Sequence, residues 1–218
     1  MVFVSMRTTK FIFPGTFDNQ HRPIIVFKAG RHDPNSEFLD TLKLAIYAFE
    51  IAFHSLLFSD EVVVVEDLNG FDRDKNADNR MVKLLLEIVQ AHFPERIGRF
   101  FAVNAPWYYK LLFKVVKPWL SSELASKVTI ASDPIDALKP FVAPDQLIKD
   151  LGGTCLFEFN DWILQRCLVE RVSPRLLEEN LHHPIEADLL DCIADIVCLS
   201  SFLFLFKSLF ECWTFLEC

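Results

Sequence analysis

Short apolar runs recur through the first two thirds of the chain and predict four β-strands. Each run is rich in β-branched or aromatic residues and is flanked by Pro, Gly or charged residues, as expected for strands in a buried sheet. The four valines of EVVVVED are typical of a strand that is covered on both faces. The predicted strands span residues 24–28, 62–65, 99–105 and 128–131.

Between these runs, apolar residues recur at steps of three and four, which predicts helices. Residues 36–58 form one such segment with Ser36 as its N-cap, and residues 79–93 form another that stops at Pro94. A third helix starts at Pro106 and breaks at Pro118. Because strands and helices alternate with short links, the sequence predicts an α/β fold with a mainly parallel sheet.

The character of the chain changes after Gly153. Residues 170–192 have the pattern of a partly exposed helical segment, and residues 193–218 are very apolar. The longest run without charge, 196–206, is far shorter than the roughly 20 residues of a membrane-spanning helix. Three interpretations stay open for this tail: a buried or partner-covered helix, an interfacial anchor, and a tilted tail anchor.

Composition adds two constraints on function. Hydrophobic residues make up 51% of the chain and 22 residues are Phe, which fits either an ordinary Phe-rich core or an internal apolar cavity. The net charge of −8 argues against a nucleic-acid partner. Residues 95–127 nevertheless carry six basic and two acidic side chains, so this segment is either a solvated helix face or a surface for an anionic lipid.

The six cysteines all follow residue 150, and no two have the CxxC spacing of zinc or redox sites. The amino-terminal apolar stretch is too short for a secretory signal peptide, so we expect a reduced, cytoplasmic setting. Motifs of nucleotide-binding loops, nucleophile elbows and zinc proteases are missing from the sequence. We therefore expect neither an enzyme nor a metal site.

One charged constellation stands out. Glu95 and Arg96 precede the third predicted strand, and Lys127 precedes the fourth. In a parallel sheet, the starts of neighbouring strands lie at the same edge, so these side chains can meet there. A carboxylate and an ammonium brought together at that edge form either a structural ion pair or a site for a polar ligand.

Four segments of the chain resemble, in order, the CRAL-TRIO lipid-binding domain family. They are RPIIVFKAGRHDP, VVVVEDLNG, the long block from HFPERIGRFFAVNAPWYYK to SSELASKV, and DQLIKDLGG. The resemblance divides the chain into a short segment 1–19, a lipid-binding domain 20–153 and a helical, apolar tail 154–218. It implies a mainly parallel sheet that floors an apolar lipid pocket closed by a gating helix. It also implies that this chain lacks the family's N-terminal helical subdomain.

The resemblance further implies a site. In the phosphatidylinositol-binding branch, residues matching Glu95, Arg96 and Lys127 hold the headgroup. The pocket and gate would include the side chains of the aromatic block, namely Trp107, Tyr108, Leu111, Phe113, Val116 and Trp119. Two departures from the branch are Leu124, where the family has Thr, and the valines Val62 and Val64, where it has hydroxyl residues that contact phosphatidylcholine.

The function that this resemblance implies is non-enzymatic binding of a hydrophobic lipid, with transfer between membranes. Phosphatidylinositol or a phosphoinositide is the expected ligand, and the bound lipid takes the place of any cofactor. The expected partners are a phospholipid or other hydrophobic small molecule and a membrane surface, and the expected location is cytoplasmic and peripheral to membranes, with C-terminal anchoring left open. The alternative is a membrane-associated scaffold with a degenerate lipid-binding domain that acts through protein partners.

Overall fold

The computed structural model of the protein describes residues 8–35, 38–54 and 59–170. The chain divides into two compact units, residues 1–157 and 158–218, and each is considered by itself. In the second unit the described residues form helix α7, Phe159–Glu170, in which the rings of Phe159 and Trp162 lie 5.7 Å apart. The apolar segment 193–218 and the histidines His182 and His183 lie outside the described residues.

The first unit is built on a five-stranded sheet in the order β1-β2-β3-β4-β5. Strands β2 to β5 are parallel to their neighbours, and β1 pairs with β2 in the antiparallel sense. The fold class is therefore α/β with a mainly parallel sheet, as predicted. The strands are β1 Phe11–Ile12, β2 Ile24–Lys28, β3 Val62–Asp67, β4 Ile97–Val103 and β5 Val128–Ile130.

Burial follows the order of the strands. Val62, Val63 and Val65 of the central strand β3 are fully buried, which confirms the prediction from the valine run. Strand β5 lies at the edge, and its residues are half-buried or exposed. Strand β1 was not predicted, because two residues carry no periodicity. The segment 1–19, which the sequence set apart, thus contributes a strand to the sheet, and Phe11 stacks on Phe27 of β2 at 4.5 Å.

Helices connect successive parallel strands, as the alternating pattern predicted. Their ends follow local capping chemistry: the side chain of Asp78 accepts a hydrogen bond from the backbone N–H of Met81, and Ser121 accepts one from Leu124. The helices of the first unit are α1 Phe38–His54, α2 Arg73–Asn76, α3 Asn79–His92, α4 Tyr109–Val116, α5 Ser122–Ser126 and α6 Pro134–Leu138.

Helix α4 is shorter than predicted, because the chain passes into a 3-10 turn at Lys117–Trp119, around Pro118. The predicted stop at the two glycines is confirmed: Gly152 adopts a left-handed conformation with φ of 84° after the 3-10 turn Lys149–Leu151. In the part of the chain that the structure describes, no helix is long and apolar enough to cross a membrane.

Candidate functional site: an apolar cavity with a charged rim

An apolar cavity lies on one face of the sheet in the first unit. It contains about 1380 Å³ of space that protein atoms do not fill, part of it open to solvent. Strand register brings the floor together, because paired residues of neighbouring strands share a face: Phe27 is opposite Glu66, and Val64 is opposite Phe100. The floor residues are Phe27, Val64, Glu66, Ile97, Phe100 and Val128.

Three helices form the walls of this cavity. Each presents its apolar stripe, which is why the sequence shows apolar residues at steps of three and four there. The wall residues come from α1 (Thr41, Ala45, Phe49), α3 (Met81, Val82, Leu85, Leu86, Val89) and α4 (Tyr109, Leu112, Phe113, Val116). A lining of this chemistry suits hydrocarbon, since each CH₂ group that leaves water is stabilised by about 0.8 kcal/mol.

One acidic side chain stands on the otherwise apolar floor. Glu66 accepts a hydrogen bond from the hydroxyl of Tyr109, at 2.5 Å between Tyr109 Oη and Glu66 Oε2. Burial disfavours the carboxylate and raises the pKa of Glu66 from 4.5 to about 7, although the Tyr109 bond lowers it. Burial also raises the pKa of Tyr109, with a further contribution from Glu66. Near neutral pH, Glu66 is therefore partly protonated.

A second polar group borders the cavity near the carboxyl end of β2. His32 is buried, its Nε2 lies 3.5 Å from Asp78 Oδ2, and neither ring nitrogen makes a hydrogen bond to a described residue. Burial lowers the pKa of His32, and nearby Lys10 lowers it further. Lys10 itself donates a hydrogen bond to Thr41, and burial lowers its pKa as well. His32 is thus a neutral imidazole at physiological pH.

The opposite, amino-terminal end of the sheet carries a rim of charged residues. Arg22, Glu61, Arg96 and Lys127 precede β2, β3, β4 and β5, in that order. Because these strands are parallel and adjacent, their starting points lie side by side at one edge. The edge predicted from the sequence to gather charged side chains therefore exists.

A depression opens at this edge, with about 580 Å³ of unfilled space that is partly solvent. Two of the three predicted headgroup residues, Glu95 and Lys127, line it together with Glu123, Ser121 and Gln90. Three of its lining residues, Val89, Ile97 and Leu124, also line the apolar cavity, so the depression adjoins the cavity. A ligand with an apolar body and a polar end can occupy both.

The ammonium group of Lys127 already has two carboxylate partners. Lys127 Nζ lies 2.6 Å from Glu123 Oε1 and 3.5 Å from Glu61 Oε1. Both raise the pKa of Lys127, chiefly through the hydrogen bond that Lys127 donates to Glu123, while burial opposes them. The carboxylates in contact with Lys127 are thus different from the Glu95 partner that sequence reasoning considered.

Arg96, the third predicted headgroup residue, faces other neighbours. Its guanidinium lies over the ring of Phe53, 4.8 Å from the ring centroid, and 3.9 Å from the exposed carboxylate of Asp60. It does not line the depression that holds Glu95 and Lys127. Its role as a headgroup ligand stays a prediction, as do those of Glu95 and Lys127.

Comparison with known proteins agrees with this geometry. The model of the CRAL/TRIO domain family matches residues 6–153, about two thirds of the chain. This chain belongs to the CRAL/TRIO domain family. The match starts ahead of β1, in line with the pairing of that strand with β2.

Two curated proteins are similar to this chain over part of their length. The phosphatidylinositol transfer protein CSR1 of Eremothecium gossypii is 27% identical over 152 residues, which are 68% of this chain and 34% of that protein. Clavesin-1 of Xenopus laevis is 24% identical over 149 residues, 65% of this chain and 45% of that protein. The chain thus matches less than half the length of these curated relatives.

A solved structure shows the same fold. The crystal structure of Sfh5 has a TM-score of 0.56 at 16% identity, and the superposition covers 76% of this chain and 66% of that chain. At this identity the likeness concerns the fold alone. The described residues of the CRAL/TRIO domain contain no cluster of His, Cys, Asp or Glu that could hold a metal ion.

The predicted pocket and gate residues separate into two sets. Phe113 and Val116 line the cavity of the CRAL/TRIO domain. Trp107 and Leu111 are 86% and 56% exposed, and lie on the outer side of the same segment. The hydroxyl of Tyr108 donates to the backbone carbonyl of Phe71 at 3.2 Å.

Trp119, the last of the predicted residues, is half-buried in the 3-10 turn after α4, and its carbonyl accepts a hydrogen bond from the Gln90 side chain. The gate role of these residues stays a prediction.

The outer face of α4 combines apolar and basic side chains. Val115 is 52% exposed, beside the exposed Leu111, and Lys110 and Lys114 are exposed on the same helix. With Trp107 they form a surface that we call the outer α4 face, defined by Trp107, Lys110, Leu111, Lys114 and Val115. Exposed aromatic and apolar groups interleaved with lysine are the composition of interfacial membrane-binding segments.

Sequence reasoning missed the polar pair inside the cavity. Tyr109 lies at helical spacing from Phe113 and Val116, two residues that were predicted for the pocket, so its inward position could have been found. Glu66 lies two residues after Val64 and therefore on the same face of β3. Its position after four valines was the available signal that a carboxylate enters an apolar region.

Proposed function

We propose that this CRAL/TRIO domain binds a phospholipid without chemical conversion and carries it between membranes, with phosphatidylinositol as the ligand. The observation that carries the proposal is the large apolar cavity whose end adjoins a charged depression. A lipid taken from a bilayer exposes dozens of CH₂ groups, each worth about 0.8 kcal/mol, unless a protein covers them. The cavity offers that cover.

The orientation of the lipid follows from the two ends of the site. Acyl chains fit the apolar floor and walls, and the phosphate fits the neighbourhood of Lys127, the ammonium that lines the depression. Hydroxyl groups of an inositol ring find acceptors in Glu95 and Glu123 and further partners in Ser121 and Gln90. The similarity to a phosphatidylinositol transfer protein supports this choice of headgroup.

The outer α4 face supports contact with a membrane surface. Its side chains are solvent-exposed in the first unit, whereas the opposite side of the same helix lines the cavity. Insertion of Trp107 and Leu111 at an interface would place α4 between the bilayer and the cavity. We infer a cytoplasmic protein that associates peripherally with anionic membranes, and its net charge of −8 disfavours nucleic acid.

Native mass spectrometry of the purified full chain, followed by lipid extraction and identification, tests the proposal. Stoichiometric phosphatidylinositol is the expected result. A different bound lipid, such as a sterol or a fatty acid, would keep the carrier function and contradict the headgroup assignment. A folded protein that stays empty after incubation with phosphatidylinositol vesicles would contradict the carrier function and favour the membrane-associated scaffold.

A further inference from the structure

The charged depression holds more carboxylates than cations. Glu123 and Glu61 contact Lys127, and Glu95 lines the same depression. The guanidinium of Arg96 is directed to Phe53 and Asp60, outside the depression. A headgroup in the depression therefore meets one ammonium, Lys127, and two carboxylates, Glu95 and Glu123, while Glu61 contacts the same ammonium.

Glu61 is held in position from the side opposite to Lys127. Its Oε2 lies 3.2 Å from Arg22 Nη1, while its Oε1 lies 3.5 Å from Lys127. Arg22 in turn is anchored by the buried Asp18, whose Oδ2 accepts from Arg22 Nη2 at 2.6 Å and from Nε at 2.8 Å. Since Arg22 and Asp18 are almost fully buried, their pairing fixes where the Glu61 carboxylate lies.

The chain leaves space for this arrangement at Gly98, the second residue of β4. A Cβ atom at Gly98 would lie 2.4 Å from Glu61 Oε2 and 2.6 Å from Arg22 Nη1. The ion pairs thus cross β4 where no side chain stands, and this lets a residue that precedes β3 reach one that precedes β5. The position of Glu61 beside Lys127 is therefore set by the packing of Arg22, Asp18 and Gly98 at the amino-terminal end of the sheet.

We propose that Glu61 and Glu123 make the headgroup site selective by charge: it admits an inositol lipid with a single phosphodiester and rejects one that carries further phosphate monoesters. This inference rests on the function proposed above. The phosphodiester carries one negative charge and replaces the Glu123 carboxylate as the partner of the Lys127 ammonium. The ring hydroxyls then donate hydrogen bonds to the carboxylates of Glu123 and Glu95, which line the depression.

Additional phosphate groups on the inositol ring are disfavoured at this site. Each monoester adds a charge of about −1.5 to −2 at neutral pH. A second phosphate on the ring would face Glu95 and Glu123, and the residues that line the depression offer no cation besides Lys127. Like charges at short range oppose binding, so each added phosphate lowers the affinity of the site for the lipid. Phosphatidylinositol, whose ring carries only free hydroxyls, still binds.

The test is competitive loading of the purified full chain from vesicles of phosphatidylcholine with equal amounts of phosphatidylinositol and phosphatidylinositol monophosphate. Native mass spectrometry measures the ratio of the two bound inositol lipids. For the wild type we expect phosphatidylinositol in about tenfold excess. Glu123→Gln and Glu61→Gln are each expected to shift the ratio several-fold toward the monophosphate.

Glu87→Gln is the matched control, because this exposed glutamate pairs with Lys83 at 3.9 Å and does not line the depression. Its ratio should equal that of the wild type. If Glu61→Gln disturbs folding, the exposed Glu123 provides the second variant, and thermal unfolding identifies which variants are native.

A wild type that loads phosphatidylinositol, with both folded variants unchanged in ratio, would overturn the selectivity while leaving the proposed function intact. A wild type that prefers the monophosphate would do the same. A wild type that loads neither inositol lipid would overturn both proposals.

Discussion

The hydroxyl of Tyr109 on α4 donates a 2.5 Å hydrogen bond to the carboxylate of Glu66 on β3, inside the apolar cavity. This bond joins α4, the helix that carries the outer α4 face, to the strand that forms the floor of the cavity. The ring of Tyr109 also packs edge-on against Phe71, at 6.1 Å between centroids. A ligand that enters the cavity therefore contacts the hydrogen bond that holds α4 on the sheet.

The raised pKa of Glu66 predicts a pH-dependent stability. The folded protein keeps a proton on this group up to about pH 7, whereas the unfolded chain releases it near 4.5. Between those values the folded state binds more protons, so the contribution of Glu66 to stability falls as pH rises and is lowest above pH 7. Glu66→Gln removes this dependence, because the amide does not titrate.

The expected result is that Glu66→Gln gains stability over the wild type by about 3 kcal/mol between acidic and mildly alkaline pH. Urea unfolding of both proteins at a series of pH values measures the difference. Glu87→Gln is the control, since an exposed glutamate should show a nearly constant difference. A constant difference for Glu66→Gln too would contradict the raised pKa.

Removing the hydroxyl of Tyr109 tests whether its hydrogen bond to Glu66 holds α4 on the sheet. Tyr109→Phe keeps the ring contact with Phe71 and deletes the bond to Glu66, leaving a buried acid without that donor at a cost of about 1–3 kcal/mol. If α4 gates the cavity, bound lipid should leave the variant faster, as measured by transfer of a fluorescent phosphatidylinositol between vesicles. Tyr108→Phe, which loses a 3.2 Å bond to the Phe71 carbonyl, is the comparison. Equal transfer rates in wild type and Tyr109→Phe would argue against a gating role.

The headgroup assignment predicts a selective loss at Lys127. Lys127→Gln should lower phosphatidylinositol loading by about tenfold, because a charge-assisted contact with phosphate is lost, while loading of a neutral lipid such as diacylglycerol stays unchanged. Lipid extraction after vesicle incubation gives both quantities. Lys83→Gln removes a similar charge from the exposed pair with Glu87 and should change neither. Unaltered phosphatidylinositol loading in Lys127→Gln would exclude this residue from the site.

The outer α4 face predicts a membrane-binding defect without a folding defect. Trp107 is 86% exposed, so Trp107→Ala should change stability by no more than about 0.5 kcal/mol. Sedimentation with phosphatidylserine-containing vesicles should show weakened binding, since the indole no longer enters the interface. Ile135→Ala, which truncates a 46% exposed apolar residue on α6, serves as the control. Equal losses in both variants would assign membrane contact to general hydrophobicity instead.

The fold was predictable from the sequence to a large extent. The four valines of β3, the proline after α3 and the glycines after residue 151 act over a few residues, so local pattern was sufficient to place them. Strand β1 escaped because its two residues gain their structure from pairing with β2. The site was predictable in part: Glu95, Lys127, Phe113 and Val116 line the depression or the cavity, whereas the environment of Arg96 did not follow from its position in the chain.

By itself, the sequence determined most of the secondary structure of the CRAL/TRIO domain, its α/β class and the edge of the sheet where charged residues gather. These properties follow from hydrophobic period, proline and capping residues, which operate between near neighbours in the chain. Only the tertiary structure decided that Glu61 meets Lys127 and that Tyr109 meets Glu66. Glu61 and Lys127, like Tyr109 and Glu66, are far apart in the chain, and strand register together with the packing of α4 on the sheet brings them within contact distance.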